Sequence, residues 1–320
     1  MEVLVVGDTR MGAANRASGH DYAEQVGAEA CGTSLLSHLA ARHRHSTPAE
    51  WASRIAAGLV SVDGRLGHSA TVLLAGQTVV WHRPPWVEPD APTAFAVLHR
   101  DEDVLAVAKP AGLPTLPGAG FLDNTLLARV RALDPGALPV HRLGRWTSGV
   151  VLFARHREAA ACLARQLAER SVGKRYRALA TGRPDRDEIE VTVPIGPVPH
   201  ALLGSVHAAS QRGRPAATRV SVVERRNDAF LCDVRIETGR PHQIRIHLAA
   251  AGHPLVGDPL YPLGGVPAPD TRAVPGDPGY LLHSAEISFR HPRTAEPSSV
   301  TCAPPPVLRG LVPGAPGEVR

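Results

Sequence analysis

Cysteine, lysine and long apolar runs are what this 320-residue chain has least of. Its four cysteines, Cys31, Cys162, Cys232 and Cys302, stand far apart, and no C-x-x-C pair occurs. That spacing argues against a thiolate zinc site and against a disulfide framework, and it suits a reducing cytoplasm. No stretch approaches the roughly 18 apolar residues a membrane-spanning helix needs. The opening MEVLVVGDTRMGAANR has no basic start followed by a long apolar stretch, so no secretory leader is expected. Internal repeats, heptads and a phosphate-cradling glycine loop before a helix are missing too.

What is present points to a folded, mildly basic protein. Hydrophobic residues make up 43% of the chain, enough for a substantial core, and the length suits one large domain plus a small one. The net charge of +5 permits a polyanionic partner without demanding one. All but two of the 35 basic residues are arginine, the exceptions being Lys109 and Lys174. Guanidinium forks suit phosphate and stack on bases; a general compositional bias toward Ala, Gly, Pro and Arg explains the skew equally simply.

The chain divides by composition. Residues 1–32 are small and polar and read as a flexible arm. Residues 33–82 read as a small module. Ser34 or Thr33 caps a first helix, and Pro48 opens a second that Gly58 ends; strands then follow around an Asp63-Gly64 turn. Residues 83–93, rich in proline, read as a linker. Residues 94–300 form the main domain, and the Pro/Gly-rich 301–320 reads as a disordered tail. In the main domain β-type runs dominate, at 149–155, 174–182, 219–226, 229–238 and 242–248, with one clear helix, REAAACLARQLAER. The expectation is an α+β fold around a mixed, mainly antiparallel sheet, with a small α/β module ahead of it.

Three segments are more polar than packing requires. PVHRLGRWTSGVVLFAR (139–155) sets His141, Arg142, Arg145, Thr147 and Ser148 in a loop leading into an apolar strand. Lys174-Arg175-Tyr176 begins another strand. TGRPHQIRIHL (238–248) alternates. Read as a strand, it puts Ile244, Ile246 and Leu248 on the core face and Gln243, Arg245 and His247 on the other, with Arg240 and His242 just ahead. An amide, a guanidinium and an imidazole on one face suit a hydrogen-bonding, anionic ligand. The sixteen histidines show no helical pair with a third ligand, so no metal is expected. Ser148 lies outside any G-x-S-x-G elbow, which argues against a serine hydrolase. Trp146 is read either as a stacking platform for a base or as an anchor for the loop.

Together these blocks resemble the RluA-type RNA pseudouridine synthases. VHRLGRWTSG is similar to that family's catalytic loop, H-R-L-D-x-x-T-S-G. Lys109-Pro110-Ala111-Gly112, Lys174 to Tyr176, TGRPHQIRIH, GHPLVGDPLY and LLHSAEISFRHP match its other blocks in order. The stretch SRIAAGLVSVDGRLGHSATVLLAGQTV resembles an S4-type RNA-binding module; a packing appendage is the competing reading. The resemblance implies a sheet with a central RNA-binding cleft and isomerisation of uridine to pseudouridine in rRNA or tRNA. No metal or organic cofactor is implied, and the chain is expected to act as a cytoplasmic monomer. It implies that Tyr176 stacks on the uracil and assists proton removal, that Arg245 pairs with the catalytic aspartate, that Arg142 helps flip the RNA, and that Leu281 lines the pocket. His141, Arg145, Thr147, Ser148, Arg240, His242, Gln243 and His247 are expected around the substrate.

One position breaks the pattern. Gly144 occupies the slot of the family's catalytic aspartate and offers no side chain to act. Arg245 is then expected to face a slot without its anion, a costly arrangement if buried. Three readings follow: another acid (Asp258, Asp123 or Glu237) acts instead; the pocket works without a side-chain carboxylate; or the chain is an impaired homologue that only binds RNA.

Overall fold

The structure is a computed structural model, and it describes residues 4–6, 16–17, 19–43 and 46–310. It divides into two compact units, one spanning residues 12–89 and the other spanning 1–11 with 90–320.

The smaller unit is built on local signals. Ser34 caps the helix Leu35–Arg42, and Thr47 and Glu50 form a reciprocal capping box on Pro48–Ala56. Gly58, at φ +73°, turns the chain out of the second helix. Asp63 and Gly64, both at positive φ, make the tight turn between Val60–Val62 and Arg65–Leu66. The residues expected as a flexible arm behave differently where they are described. His20–Gln25 pairs along its whole length with Thr78–Arg83, as the edge of a four-stranded sheet. Its composition hid it, because every residue of HDYAEQ but the half-buried Glu24 is exposed, and the strand's stability comes from its neighbour.

The larger unit is a mixed α+β domain around an eleven-stranded sheet among the described residues. Antiparallel pairs dominate, as the sequence implies. The exception is central: Ser148–Ala154 runs parallel to Leu282–Arg290, with Gly149 opposite Ser284. On its other flank Leu282–Arg290 pairs antiparallel with Gly173–Thr181, which places Tyr176 opposite the same Ser284. The late strand is thus inserted between two earlier ones, and Gly149, Ser284 and Tyr176 lie in a row across three strands. Gly149 has to be glycine here. At φ +106° its backbone carbon approaches Ser284 so closely that a Cβ would fall 2.1 Å from the Ser284 carbonyl oxygen.

Two sequence expectations fail in this unit. The segment after Arg240 is a helix, Gln243–Ala250, entered through His242 in a left-handed conformation. Its apolar alternation has a helical explanation. Ile244 and Leu248, four apart, pack into the main core, whereas Ile246 and Ala249 pack into a second cluster with Tyr261. A helix buried on two sides can mimic a strand's period over seven residues. The tail also departs from expectation up to residue 310. Leu308 is buried, and Arg226 donates to the carbonyls of Val307 and Arg309. Residues 311–320 lie outside the described residues.

Candidate active site

The loop 139–147 is held from below by Lys109. This buried side chain donates to three carbonyls, of Pro110, Leu113 and Arg145, at 2.7–2.9 Å. Burial, and then the nearby Arg145 charge, pull its pKa down to about 7. Thr115 adds a reciprocal pair. Its hydroxyl donates to the Leu143 carbonyl and accepts from the Leu143 amide. The Trp146 indole donates to the Gly276 carbonyl, and the ring packs against the main core, so the tryptophan anchors the loop. Arg145 donates to the Gly112 carbonyl and lies over Phe121 and Trp146, which commits its guanidinium to the loop's own fold. Ser148 hydrogen-bonds His283 Nδ1 at 2.8 Å. Because His283 Nε2 donates to the Cys302 carbonyl, Nδ1 is the acceptor and Ser148 the donor. His141 likewise accepts the Leu152 amide through Nε2. Burial, and then the neighbouring Lys174 charge, push its pKa down to about 3.

Tyr176 stands at a β-bulge, where the register with Leu282–Arg290 shifts between Arg175 and Tyr176. A bulge re-aims the side chain that follows it. The ring is buried in the main core, the same large apolar cluster that includes Leu143, Ile244, Tyr280 and Leu282. Burial pushes the phenol up to about 12, and its hydroxyl has no hydrogen-bond partner among the described residues. The polar loop, the Tyr176 strand and the 243–250 helix therefore converge, with the backbone of Gly144 and the side chain of Arg142 open to solvent beside them.

Arg245 is not orphaned. It is buried and meets Asp258 with both prongs, Nε to Oδ2 at 2.6 Å and Nη2 to Oδ1 at 2.8 Å, while Nη1 donates to the Pro275 carbonyl. Burial opposes its charge, but the Asp258 carboxylate more than compensates and raises its pKa. Asp258 also accepts the amides of Leu260 and Tyr261, so it caps a turn and neutralises the arginine together. The guanidinium is sandwiched between Tyr280 and Tyr261, 4.1 and 4.9 Å from the ring centroids. Gly144 has no positive φ, so its backbone does not require glycine. Space does. A Cβ there would sit 2.8 Å from the Tyr280 hydroxyl and 3.4 Å from Thr147 Oγ1.

The chain as a whole is similar to known proteins. The RNA pseudouridylate synthase family model matches residues 103–250. An RNA pseudouridine synthase of Synechocystis sp. is 41% identical over 276 residues, covering 86% of this chain and 95% of that protein. The chain belongs to the RNA pseudouridine synthase family. The ribosomal large subunit pseudouridine synthase D of Xanthomonas campestris is 34% identical over 296 residues, covering 87% of this chain and 86% of that one. The solved structure of human RNA pseudouridylate synthase domain containing 1 matches with a TM-score of 0.52 and 27% identity, over 69% of this chain and 87% of that one. The activity is therefore isomerisation of uridine to pseudouridine in RNA.

In this synthase several expected contact residues are internal struts. Gln243 accepts from Thr238 and the Arg240 amide and donates to the Ala217 carbonyl and Thr218, leaving nothing for a ligand. His247 is fully buried between Thr218 and the Val193 carbonyl. Both lost their expected role when the strand became a helix. Arg240 donates to the Pro215 carbonyl. His242 stays near the site: its Nδ1 donates to the Tyr261 hydroxyl, which itself donates to the His207 carbonyl. Burial, followed by the Arg245, His207 and Arg142 surroundings, holds His242 neutral with a pKa near 3. Leu281 packs away from Tyr176, against Leu179 and Leu308, and its neighbour Leu282 takes the inward position. The error is one residue of strand parity. Of the alternative acids, Glu237 is exposed and pairs with Arg219.

Tyr280 is the residue the sequence reading missed. Nothing in PGYLLH announces it, because its importance comes from contact with position 144, far away in the chain. One metal-type cluster, Asp101, Asp103 and His291, lies elsewhere. Its carboxylates already meet His99, His156 and Arg293, which leaves little call for a cation.

Proposed function

We propose that this synthase acts on structured RNA, with rRNA as the first candidate and tRNA as the second, and that the uridine is received between the 139–147 loop, Tyr176 and Tyr280. The carrying observation is that Tyr280 meets both the loop and the helix, its hydroxyl 2.8 Å from where a Cβ on Gly144 would be and its ring centroid 4.1 Å from the Arg245 guanidinium, while Tyr176 stands opposite Ser284 four residues further along. An extruded uracil needs an apolar ring to stack on and must leave its helix to be reached. Tyr176 offers that ring. Arg142 is exposed, has no ion-pair partner among the described residues and is free to hold phosphate. The name of the Xanthomonas relative favours rRNA.

On the opposite face of the sheet Arg175, Arg235 and Arg219 lie in register across three strands, along a groove of about 700 Å³ that Glu188, Glu237 and Glu286 also line; Arg175 pairs with Glu286 and Arg219 with Glu237. In this reading the 33–82 module is a second, S4-like RNA contact, and the protein is a cytoplasmic monomer that needs no cofactor. Pseudouridine mapping of rRNA and tRNA from cells with and without the gene tests the proposal. The expected result is the loss of one or a few rRNA sites; unchanged maps for both RNA classes would overturn it.

A further inference from the structure

We propose that the Tyr280 hydroxyl is the proton carrier of the isomerisation, acting first as acid and then as base at the place where position 144 carries no side chain. The inference rests on the reading above and deepens it.

The reaction itself sets the requirement. Breaking the C1′–N1 bond leaves its electron pair on N1, and forming C1′–C5 releases the proton of C5. A single group that gives a proton to N1 and later takes the C5 proton returns to its starting state, and no outside reagent is needed. Such a group must carry a transferable proton, reach the space beside the sugar and be little engaged by other hydrogen bonds.

Tyr280 meets these conditions in the structure. Its oxygen lies 2.8 Å from where a Cβ on Gly144 would be, so it reaches the volume that a side chain on the loop would otherwise enter. Thr147 Oγ1, at 3.4 Å, is its one hydrogen-bonding neighbour among the described residues, and that contact is long. Its ring lies against the Arg245 guanidinium, 4.1 Å from the ring centroid. Asp258 fixes that guanidinium from the far side, so the charge is oriented and cannot swing away. Tyr176, the other phenol of the cluster, has no such cation against its ring and is better suited to stacking. Asp258 itself is occupied by Arg245 and two backbone amides.

In balanced form, the C1′–N1 bond breaks with its electron pair on N1, and the Tyr280 O–H proton passes to N1, leaving the tyrosine deprotonated. The uracil turns, C5 bonds to C1′, and the C5 proton passes to the phenolate, restoring the phenol.

The test uses the full-length protein and in-vitro-transcribed rRNA and tRNA carrying [5-³H]uridine, with tritium release as the readout. Tyr280→Phe is expected to lower kcat by about 100-fold or more with KM unchanged, the usual scale for removing a general acid–base group. Gly144→Ala keeps the phenol but crowds its oxygen, and it is expected to lower kcat in the same way. The double variant should be no slower than Tyr280→Phe alone, because both changes disable one group. A Tyr280→Phe kcat within threefold of wild type, or losses that multiply in the double variant, would overturn the inference while leaving the proposed function intact. No tritium release by the wild-type protein would overturn both.

Discussion

Arg245 and Asp258, thirteen residues apart, form a two-pronged ion pair whose side chains are 3% and 0% exposed. The guanidinium therefore has its carboxylate partner in Asp258 and needs no side chain at position 144. Removing one member of such a pair strands a buried charge, at a cost of about 3–5 kcal/mol. Asp258→Ala should therefore destabilise the large unit by that order in urea denaturation. An Arg245→Met/Asp258→Leu double variant should be more stable than Asp258→Ala, since it leaves no unpaired ion.

Gly144→Asp is expected to harm the protein. The new Cβ would sit 2.8 Å from the Tyr280 oxygen, so the tyrosine has to shift where it packs against Arg245. Overpacking of this kind costs about 1–3 kcal/mol. The melting temperature should fall, and turnover should fall with it; adding Tyr280→Phe should recover the lost stability. A Gly144→Asp protein that melts with the wild type would contradict the crowding.

Strand parity predicts different outcomes for two adjacent leucines. Leu282→Ala removes a side chain packed with Tyr176 in the main cluster and should cost about 2–5 kcal/mol. Leu281→Ala, beside the smaller Leu179–Leu308 cluster, should cost less and leave turnover near wild type. Paired denaturation and activity measurements would settle which leucine faces the base.

Stability should fall as pH drops below the ordinary histidine range. His141 and His242 are both held neutral, with pKa values near 3, whereas in the unfolded chain they protonate near 6.5. Between those values the unfolded state binds more protons, so stability rises with pH across that window and is lost on acidification. Urea midpoints measured from pH 8 down to 5 should show this slope. Replacing His141 with Gln, which can still accept the Leu152 amide, should make it shallower.

Arg142→Glu should weaken RNA binding across sequences and reduce the slope of log affinity against log salt by about one. Filter binding with an rRNA fragment at several salt concentrations would measure both.

Much of this was legible in the sequence. The paired capping residues Thr47 and Glu50, the Asp63-Gly64 turn and the polar loop before Ser148–Ala154 are local signals, and local signals survive translation into structure. What failed was non-local. The period of residues 242–248 fits a strand as well as a helix packed on two clusters, and only the surroundings decide between them. Gln243 and His247 were assigned outward because of that ambiguity. Leu281 missed by one residue, where the exact start of Leu282–Arg290 sets which side faces in. Asp258 stood among the candidate acids in the sequence, but only the fold brings its carboxylate, thirteen residues on, to the Arg245 guanidinium.

The position of Leu282–Arg290 carries a consequence for how the enzyme comes into being. Emerging late from the ribosome, this segment must slip between Ser148–Ala154 and Gly173–Thr181, and until it arrives those two have no ladder joining them. Tyr280 enters with it. A chain lacking these residues would hold its catalytic loop and Tyr176 on unjoined halves, so the site is completed only once residues 280–290 have been made.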